Sequence, residues 1–191
     1  MEIIRAKKTH ARDLAYLLNI AGEGIPEYLW QGMVEGEESA LDFGEKRAAR
    51  EEGGFSYTNA KVVVEEDILM GMIVSYRQPD PYDIEDLKDY PDIVQPLIEL
   101  EAKAPGSWYI NALATHEPFR GKGVAQSLMK DAELQAQADH CNTMSIIVAS
   151  DNAPAKSLYE HLNFEPIARL PVVEYPGCIH GGDWVLMTKN I

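Results

Sequence analysis

Phe119-Arg120-Gly121-Lys122-Gly123-Val124-Ala125 is the stretch that decides the fold, because it joins a strand to a helix through two glycines. Before it, residues 108–114 form an aromatic and apolar run of strand length, and residues 125–138 then place apolar side chains at helical spacing. Helix N-termini carry unpaired backbone N–H groups and a partial positive charge, and glycine lets a ligand approach the backbone closely. Arg120 and Lys122 add positive charge in a chain whose formal net charge is −14. The turn therefore predicts a binding site for a phosphate or pyrophosphate.

Two familiar phosphate-binding loops are excluded by spacing. A Walker loop requires Gly-x4-Gly-Lys-Ser/Thr, but no glycine precedes Gly121 at that distance, and neither Ser nor Thr follows Lys122. A dinucleotide fingerprint requires a third glycine three residues after Gly123, where Gln126 stands. The pattern that remains is Arg-x-x-Gly-x-Ala, which begins at Arg120.

A second segment follows at a regular distance. Residues 143–149 form another apolar strand, and Asp151-Asn152-Ala153-Pro154 then has the composition of a helix start, with proline inside the first turn. Asn163 ends this helix before Phe164, and asparagine tolerates the left-handed backbone that helix ends often adopt. The residues that mark this segment are, in order, Asn152, Ala155, Leu158, Tyr159 and Phe164.

These two segments together resemble the GNAT superfamily of N-acetyltransferases over about 60 residues. The first matches the family's acyl-CoA pyrophosphate loop, Gln/Arg-x-x-Gly-x-Gly/Ala, and the second matches Asn-x-x-Ala-x-x-Leu-Tyr-x-x-x-Gly-Phe with Asn163 in place of the glycine. The resemblance implies a single-domain α/β GNAT fold over residues 1–191, with an acyl-CoA-binding core at about 107–165. Its mixed central sheet would have about seven strands, helices on both faces, and a splayed parallel pair that binds acyl-CoA.

The resemblance also implies a set of site residues. The pantetheine arm of acetyl-CoA would pair with Leu113, Ala114 and Thr115, and Asn152 would hydrogen-bond the same arm. Tyr159 matches the family position of the acid that protonates the departing thiolate. The pyrophosphate would lie on the loop formed by Arg120, Gly121, Lys122, Gly123, Val124 and Ala125.

The general base is not assigned by any motif. His116 and Glu117 follow the strand, and Tyr109 and Asn111 within it are candidates to hold a water. Glu99 and Glu101 enter only if residues 78–106, an acidic and proline-rich insert, fold over the site. A zinc site from His140, Cys141, Cys178 and His180 is not expected, because neither pair has a usual ligand spacing.

The segment between the first two strands, about residues 8–56, is expected to line the acceptor pocket with three helical pieces. It contains acidic and aromatic side chains that can hold a cationic amine by ion-pair and cation–π contacts, or can simply pack and be solvated. The insert at 78–106 forms either a lid over the acceptor or a dimer contact, and it contains a short helix that starts at Pro96. The acidic and aromatic side chains of the acceptor segment are Glu23, Glu27, Tyr28, Trp30 and Glu35.

Turn residues and capping patterns delimit the remaining elements. A first strand at 2–6 precedes a helix capped by Thr9, and Pro26 lies in the first turn of the next helix. Ser39-Ala40-Leu41-Asp42 resembles a capping box, and the helix that it opens is expected to end at Gly53. The patterns also predict a hairpin of 61–65 with 68–77, and closing strands at 166–173 and 183–189.

Composition sets the remaining limits. With 191 residues, 46% of them hydrophobic, the chain can bury a substantial core. The net charge of −14 argues against general nucleic-acid binding and concentrates cations near the surface. The sequence has neither an apolar run of membrane-spanning length nor the pattern of a signal peptide, and it has two cysteines, so we expect a cytoplasmic protein without a membrane partner.

The sequence thus predicts an acyltransferase that moves an acetyl group from acetyl-CoA to a primary amine by direct attack in a ternary complex. The expected acceptor is a small cationic metabolite, and a homodimer is expected by analogy with relatives of the fold. Two alternatives stay open at this point, a protein or peptide N-acetyltransferase and a non-catalytic acyl-CoA sensor.

Overall fold

The computed structural model describes all 191 residues, which form seven strands and six helices. The strands are β1 (Glu2–Arg5), β2 (Ala60–Glu65), β3 (Ile68–Arg77), β4 (Trp108–Thr115), β5 (Thr143–Ala149), β6 (Glu165–Pro171) and β7 (Asp183–Asn190). The helices are α1 (Ala11–Ala21), α2 (Ile25–Gln31), α3 (Ala40–Ala48), α4 (Gln95–Glu101), α5 (Val124–Ala138) and α6 (Ala153–His161). None of these helices combines the length and the apolar character that crossing a membrane requires.

All seven strands belong to one mixed sheet, in the order β1-β2-β3-β4-β5-β7-β6. β4 and β5 are parallel, because α5 connects them, and the pairs β1–β2, β2–β3, β5–β7 and β6–β7 are antiparallel. This confirms the predicted α/β class and the seven-stranded mixed sheet. Residues 1–75 with 111–132 form one compact unit, called the first unit below, and residues 76–110 with 133–191 form the second unit. The expectation of one domain over residues 1–191 stays a prediction.

In the first unit, α1 packs against α3 through an apolar face. Leu14, Leu17 and Leu18 are almost completely buried, as their helical spacing predicts. The predicted cap at Thr9 is wrong: a 3₁₀ turn spans Lys8–His10, and His10 is the residue that precedes α1. The reason is local, since the backbone N–H of Lys7 donates to Nδ1 of His10 and closes the chain into a tighter turn first.

The capping box of α3 is confirmed, but its predicted end is not. Ser39 Oγ accepts from the Asp42 N–H, and Asp42 Oδ2 accepts in return from the Ser39 N–H. The helix ends at Ala48 rather than at Gly53. Side chains further along the chain capture the carbonyls that a longer helix would use: Ser56 Oγ donates to the carbonyl of Arg50.

The β2–β3 hairpin of the first unit also follows the prediction. Glu66 and Asp67 form its turn, with φ of 50° and 65°. Positive φ at both central residues is the mark of a turn whose twist matches that of the flanking strands.

In the second unit, β5, β7 and β6 form an antiparallel group against which α4 packs. Leu100 of α4 is completely buried, and Pro96 lies in the first turn, as predicted. The insert therefore contributes a helix to the core of this unit, and its role as a lid or a dimer contact stays a prediction. β6 lies at one edge of the sheet and contains Pro166, Pro171 and a register shift between Pro166 and Ala168.

Gly44 gives a direct test of packing in the first unit. A Cβ atom at Gly44 of α3 would overlap the indole ring of Trp30, whereas a Cβ at Gly32, which follows α2, meets only the Leu29 carbonyl at 3.5 Å. We expect Gly44→Ala to lower the free energy of unfolding by about 1–3 kcal/mol, because a close-packed core cannot absorb the methyl group. Urea unfolding measures this, and Gly32→Ala is the matched control that should change stability little. Equal stability of the two variants would show that Trp30 can move aside.

Candidate functional site

The loop between β4 and α5 has the backbone geometry expected for anion binding. Gly121 and Gly123 have φ of +72° and +80°, a region that favours glycine, and both residues are exposed. Val124 is buried and begins α5, so the exposed loop leads directly into the N-terminus of a helix of 15 residues. The first N–H groups of that helix have no partner within it, and the helix dipole makes this end positive.

Two cations lie on the same loop. Arg120 Nε donates to the Thr115 carbonyl at 3.4 Å, and Lys122 Nζ lies 5.2 Å from the centre of the Phe119 ring. Both side chains are exposed. The loop thus concentrates positive charge on an otherwise acidic protein, as the sequence predicts.

The end of β4 has backbone groups that β5 does not use. The parallel pairing covers Trp108–Ile110 with Met144–Ile146, although β4 continues to Thr115 and β5 to Ala149. Past Ile110, therefore, the side of β4 that faces away from β3 is left for another hydrogen-bonding partner. Leu113, Ala114 and Thr115 lie on this stretch, and Oγ1 of Thr115 is buried without a hydrogen-bond partner. A buried hydroxyl without a partner is explained if a polar ligand binds at this position.

In the second unit, α6 holds the two other predicted site residues. Asn152 is the N-cap, and its Oδ1 accepts from the Ala155 N–H at 3.3 Å. Tyr159 is 6% exposed, and its ring lies 6.2 Å from that of Phe164 at 59°. Asn163, between them, has φ of +66°, which confirms the left-handed helix end.

The predicted acceptor segment separates into packing and exposed residues. Trp30 is 5% exposed and packs against Gly44, so it belongs to the core. Glu27 accepts from Asn19 Nδ2 at 2.8 Å, and Tyr28 is 41% exposed. Glu23 is 7% exposed in a left-handed conformation between α1 and α2. Glu35 is exposed.

Of the candidate bases, His116 is held by the first helix. Its ring stacks on Tyr16 at 5.4 Å between centroids, and its Nε2 lies 3.9 Å from Oδ1 of Asp13. Glu117 is exposed within the 3₁₀ turn that follows. These contacts alone do not place His116 or Glu117 next to a reacting atom.

Glu101, at the end of α4, lies in a polar cluster inside the second unit. Tyr82 Oη donates to Glu101 Oε2 at 2.6 Å, and hydrogen bonding from Tyr109 also stabilises the charged carboxylate, with Gln78 close by. Tyr109 is 4% exposed, and the Tyr76 ring meets it edge-on at 6.0 Å. Sequence reasoning identified Glu101 and Tyr109 as separate candidates. It did not identify Tyr82 and Gln78, which lie in the connection before α4.

Burial controls the protonation of this cluster. The pKa of Glu101 is raised by its removal from water, and hydrogen bonding, from Tyr82 above all, opposes that shift in part. The pKa of Tyr82 is raised by burial and by the neighbouring Glu101 carboxylate. Burial likewise raises the pKa of Tyr109. The cluster therefore contains a carboxyl group that changes charge closer to neutral pH than an exposed glutamate does.

The cysteines and histidines considered as zinc ligands do not form a group of ligands in the structure. No group of three or more His, Cys, Asp or Glu side chains in the structure is placed to hold a metal ion. Cys141 and Cys178 are both free thiols. Cys178 Sγ donates to the carbonyl of His180, while Nδ1 of His180 lies 3.3 Å from Oδ1 of Asp151.

The fold, the glycine loop and the capped helix agree with a family-wide comparison. Residues 24–164 match the model of the acetyltransferase (GNAT) family. The match covers well over half of the chain, so the protein belongs to the GNAT family and is an acyltransferase.

Individual proteins match this chain either at low sequence identity or over only part of its length. Over 62 residues the chain is 32% identical to N-alpha-acetyltransferase 30 of Saccharomyces cerevisiae, a match that spans 32% of this chain and 35% of that protein. The N-acetyltransferase of Staphylococcus aureus Mu50 superposes with a TM-score of 0.66 at 17% identity, covering 99% of this chain and 100% of the other. The polyamine N-acetyltransferase of Drosophila melanogaster gives 0.70 at 13% identity, covering 100% and 99%. The two structures share the fold, and the yeast protein is matched over about a third of its length.

Asn152 has a structural role that can be measured apart from any ligand. We expect Asn152→Ala to lower the free energy of unfolding by about 1 kcal/mol, because the Ala155 N–H loses its acceptor. Asn152→Ser keeps an oxygen at the cap and should retain most of that stability. Thermal unfolding of the two variants without ligand makes the comparison, and equal losses would contradict the capping role.

Proposed function

We propose that this GNAT enzyme transfers the acetyl group of acetyl-CoA to the primary amine of a small cationic metabolite, by direct attack in a ternary complex. The observation that carries the proposal is the loop from Arg120 to Val124, in which two left-handed glycines and two cations precede a helix N-terminus. The pyrophosphate of acetyl-CoA would bind the N–H groups of Gly121 to Ala125, with Arg120 and Lys122 neutralising its charge.

The end of β4 fits the pantetheine arm of the same cosubstrate. Its amides alternate donors and acceptors as a strand does, and Leu113, Ala114 and Thr115 offer backbone groups that β5 leaves unused. The unpartnered hydroxyl of Thr115 supports a polar ligand at this position. Asn152 would add a hydrogen bond to the arm from the start of α6.

Tyr159 is proposed as the acid that protonates the departing thiolate. A phenol ordinarily has a pKa near 10 and a thiol near 8.5, so a tyrosine side chain is a suitable proton donor at neutral pH. Tyr159 as a whole is 6% exposed. A backbone N–H of β4 would polarise the thioester carbonyl, and one such donor contributes about 3 kcal/mol in typical enzymes.

The preference for a cationic acceptor is supported by charge and by relatives. The net charge of −14 attracts protonated amines to the surface. The Drosophila relative of the same fold is a polyamine N-acetyltransferase. Trp30 is buried in the core, so of the two aromatic residues singled out in the acceptor segment Tyr28 is the exposed one.

A peptide acceptor is the second candidate, and the partial match to the yeast N-alpha-acetyltransferase favours it. A non-catalytic acyl-CoA sensor differs from both candidates, because it would bind acetyl-CoA without releasing thiol. The cytoplasmic location and the homodimer stay predictions.

Thiol release tests the reaction and its acid together. We expect turnover of acetyl-CoA with one class among polyamines, aminoglycosides, amino acids and short peptides. Tyr159→Phe should lower kcat by about 10²-fold or more while leaving acetyl-CoA affinity nearly unchanged, because only the proton donor is lost. Normal turnover by this variant would contradict the acid role, and tight binding of acetyl-CoA without turnover by any acceptor would favour the sensor.

The pyrophosphate loop has a matched control in the chain itself. Gly123 and Gly36 both have positive φ, of +80° and +66°, and an added Cβ meets nothing within 4 Å at either position. Gly123→Trp and Gly36→Trp should therefore carry similar backbone strain, but only the first should abolish binding of CoA, as calorimetry can measure. Tight CoA binding by the folded Gly123→Trp variant would refute the placement of the pyrophosphate.

A further inference from the structure

Glu101 differs from every other acidic residue of the insert in its surroundings. It accepts a hydrogen bond of 2.6 Å from Tyr82, and hydrogen bonding from Tyr109 also stabilises the same carboxyl group. Burying a carboxylate is costly unless it is paired or well hydrogen-bonded. Tyr82 and Tyr109 are neutral donors and no cation acts on this carboxyl group, so its charge is stabilised but not neutralised.

Glu99 provides the contrast, because it lies two residues earlier on the same short helix. Both glutamates lie on α4, but only Glu101 accepts the hydrogen bond from Tyr82. The fold therefore gives Glu101 surroundings that Glu99 does not have.

The cluster adjoins the part of the sheet where the two parallel strands stop pairing. Tyr109 lies on β4 opposite Ser145 of β5, one residue before the last paired position, Ile110 with Ile146. Side chains alternate along a strand, so Tyr109 and Asn111 project from the same face of β4. Under the proposed function, a backbone N–H of this strand polarises the thioester carbonyl.

We propose that Glu101 is the general base of the acetyl transfer, taking the proton of the acceptor amine directly or through one water. This inference rests on the proposed function. As the amine nitrogen bonds to the acetyl carbon and the C–S bond breaks, the N–H proton passes to the Glu101 carboxylate. The departing thiolate takes its proton from Tyr159, so both protons and the electron pair are accounted for.

The surroundings of Glu101 suit this task. A base works best when its pKa lies near the working pH, and burial moves the pKa of Glu101 in that direction. Glu101 is partly exposed, and Tyr82 Oη donates to Oε2 of its carboxyl group. The titratable groups that face the cluster are the phenols of Tyr76, Tyr82, Tyr90 and Tyr109, and the raised pKa values of Tyr82 and Tyr109 keep those two neutral at pH 7.

The test is the pH dependence of kcat/KM for thiol release, measured with the best amine of the acceptor panel. Glu101→Gln keeps the shape and an oxygen acceptor for Tyr82 but cannot take a proton. We expect its kcat/KM to fall about 100-fold at pH 7 and to recover as the pH rises, since the amine then loses its proton to water. Glu99→Gln is the matched control and should behave as the parent enzyme.

Tyr82→Phe gives a signature that a structural role would not produce. The Tyr82 hydrogen bond lowers the pKa of Glu101 relative to burial alone, so its loss raises that pKa. Since the base must be charged, the acidic limb of the kcat/KM profile should move to higher pH in Tyr82→Phe. A purely structural effect would lower the whole profile without moving the limb.

Two failures are distinguishable. If the parent enzyme acetylates an amine and Glu101→Gln keeps its rate and pH profile, the base assignment is wrong and the proposed function stands. If the parent enzyme binds acetyl-CoA but releases no thiol with any acceptor, the proposed function fails and the base assignment fails with it. Should Glu101→Gln not fold, the limb of Tyr82→Phe decides alone, and an unmoved limb overturns the proposal.

Discussion

Parallel hydrogen bonding between β4 and β5 ends at Ile110 and Ile146, while both strands continue. A sheet interior rarely leaves backbone donors and acceptors without partners, because each unpaired buried group costs about as much as a lost hydrogen bond. The unpartnered hydroxyl of Thr115 lies on the same stretch. The chemistry proposed here depends on this interruption, since a fully paired strand would have no backbone groups to offer an extended ligand.

The elements on either side of the interruption are those that the sequence predicted best. β4, the glycine loop, α5, β5 and α6 each have strong local signals: apolar alternation, positive-φ glycines, a proline in the first turn and an asparagine at each end of α6. Such signals act within a few residues and do not depend on distant packing. Asn163 is the clearest instance, because its left-handed backbone follows from its side chain and its place at a helix end.

The predictions that were wrong concern competition between local and distant contacts. Thr9 has the side chain of a helix cap, but the ring of His10 closes an earlier turn. Ser56 Oγ donates to the carbonyl of Arg50, which follows the end of α3 and lies six residues before Ser56. The capping rules do not include a contact at this separation. For Trp30 the sequence left a binding role and a packing role open, and its contact with Gly44 on another helix assigns it to the core. The Glu101 cluster joins residues from the insert and from β4, with Tyr82 and Glu101 19 residues apart, so no local pattern could reveal it.

The two borders of the sheet have a consequence for behaviour in concentrated solution. An exposed border strand is a template onto which a strand of another molecule can add, which leads to aggregation. β1, at one border, is only four residues long, and β6, at the other, has a proline at its second and last positions and a register shift between them. Proline cannot donate a backbone hydrogen bond, and a shifted register bends the strand away from a flat template. Self-association of this protein by sheet extension is therefore disfavoured at both borders, and any specific assembly of copies would have to form through side-chain surfaces.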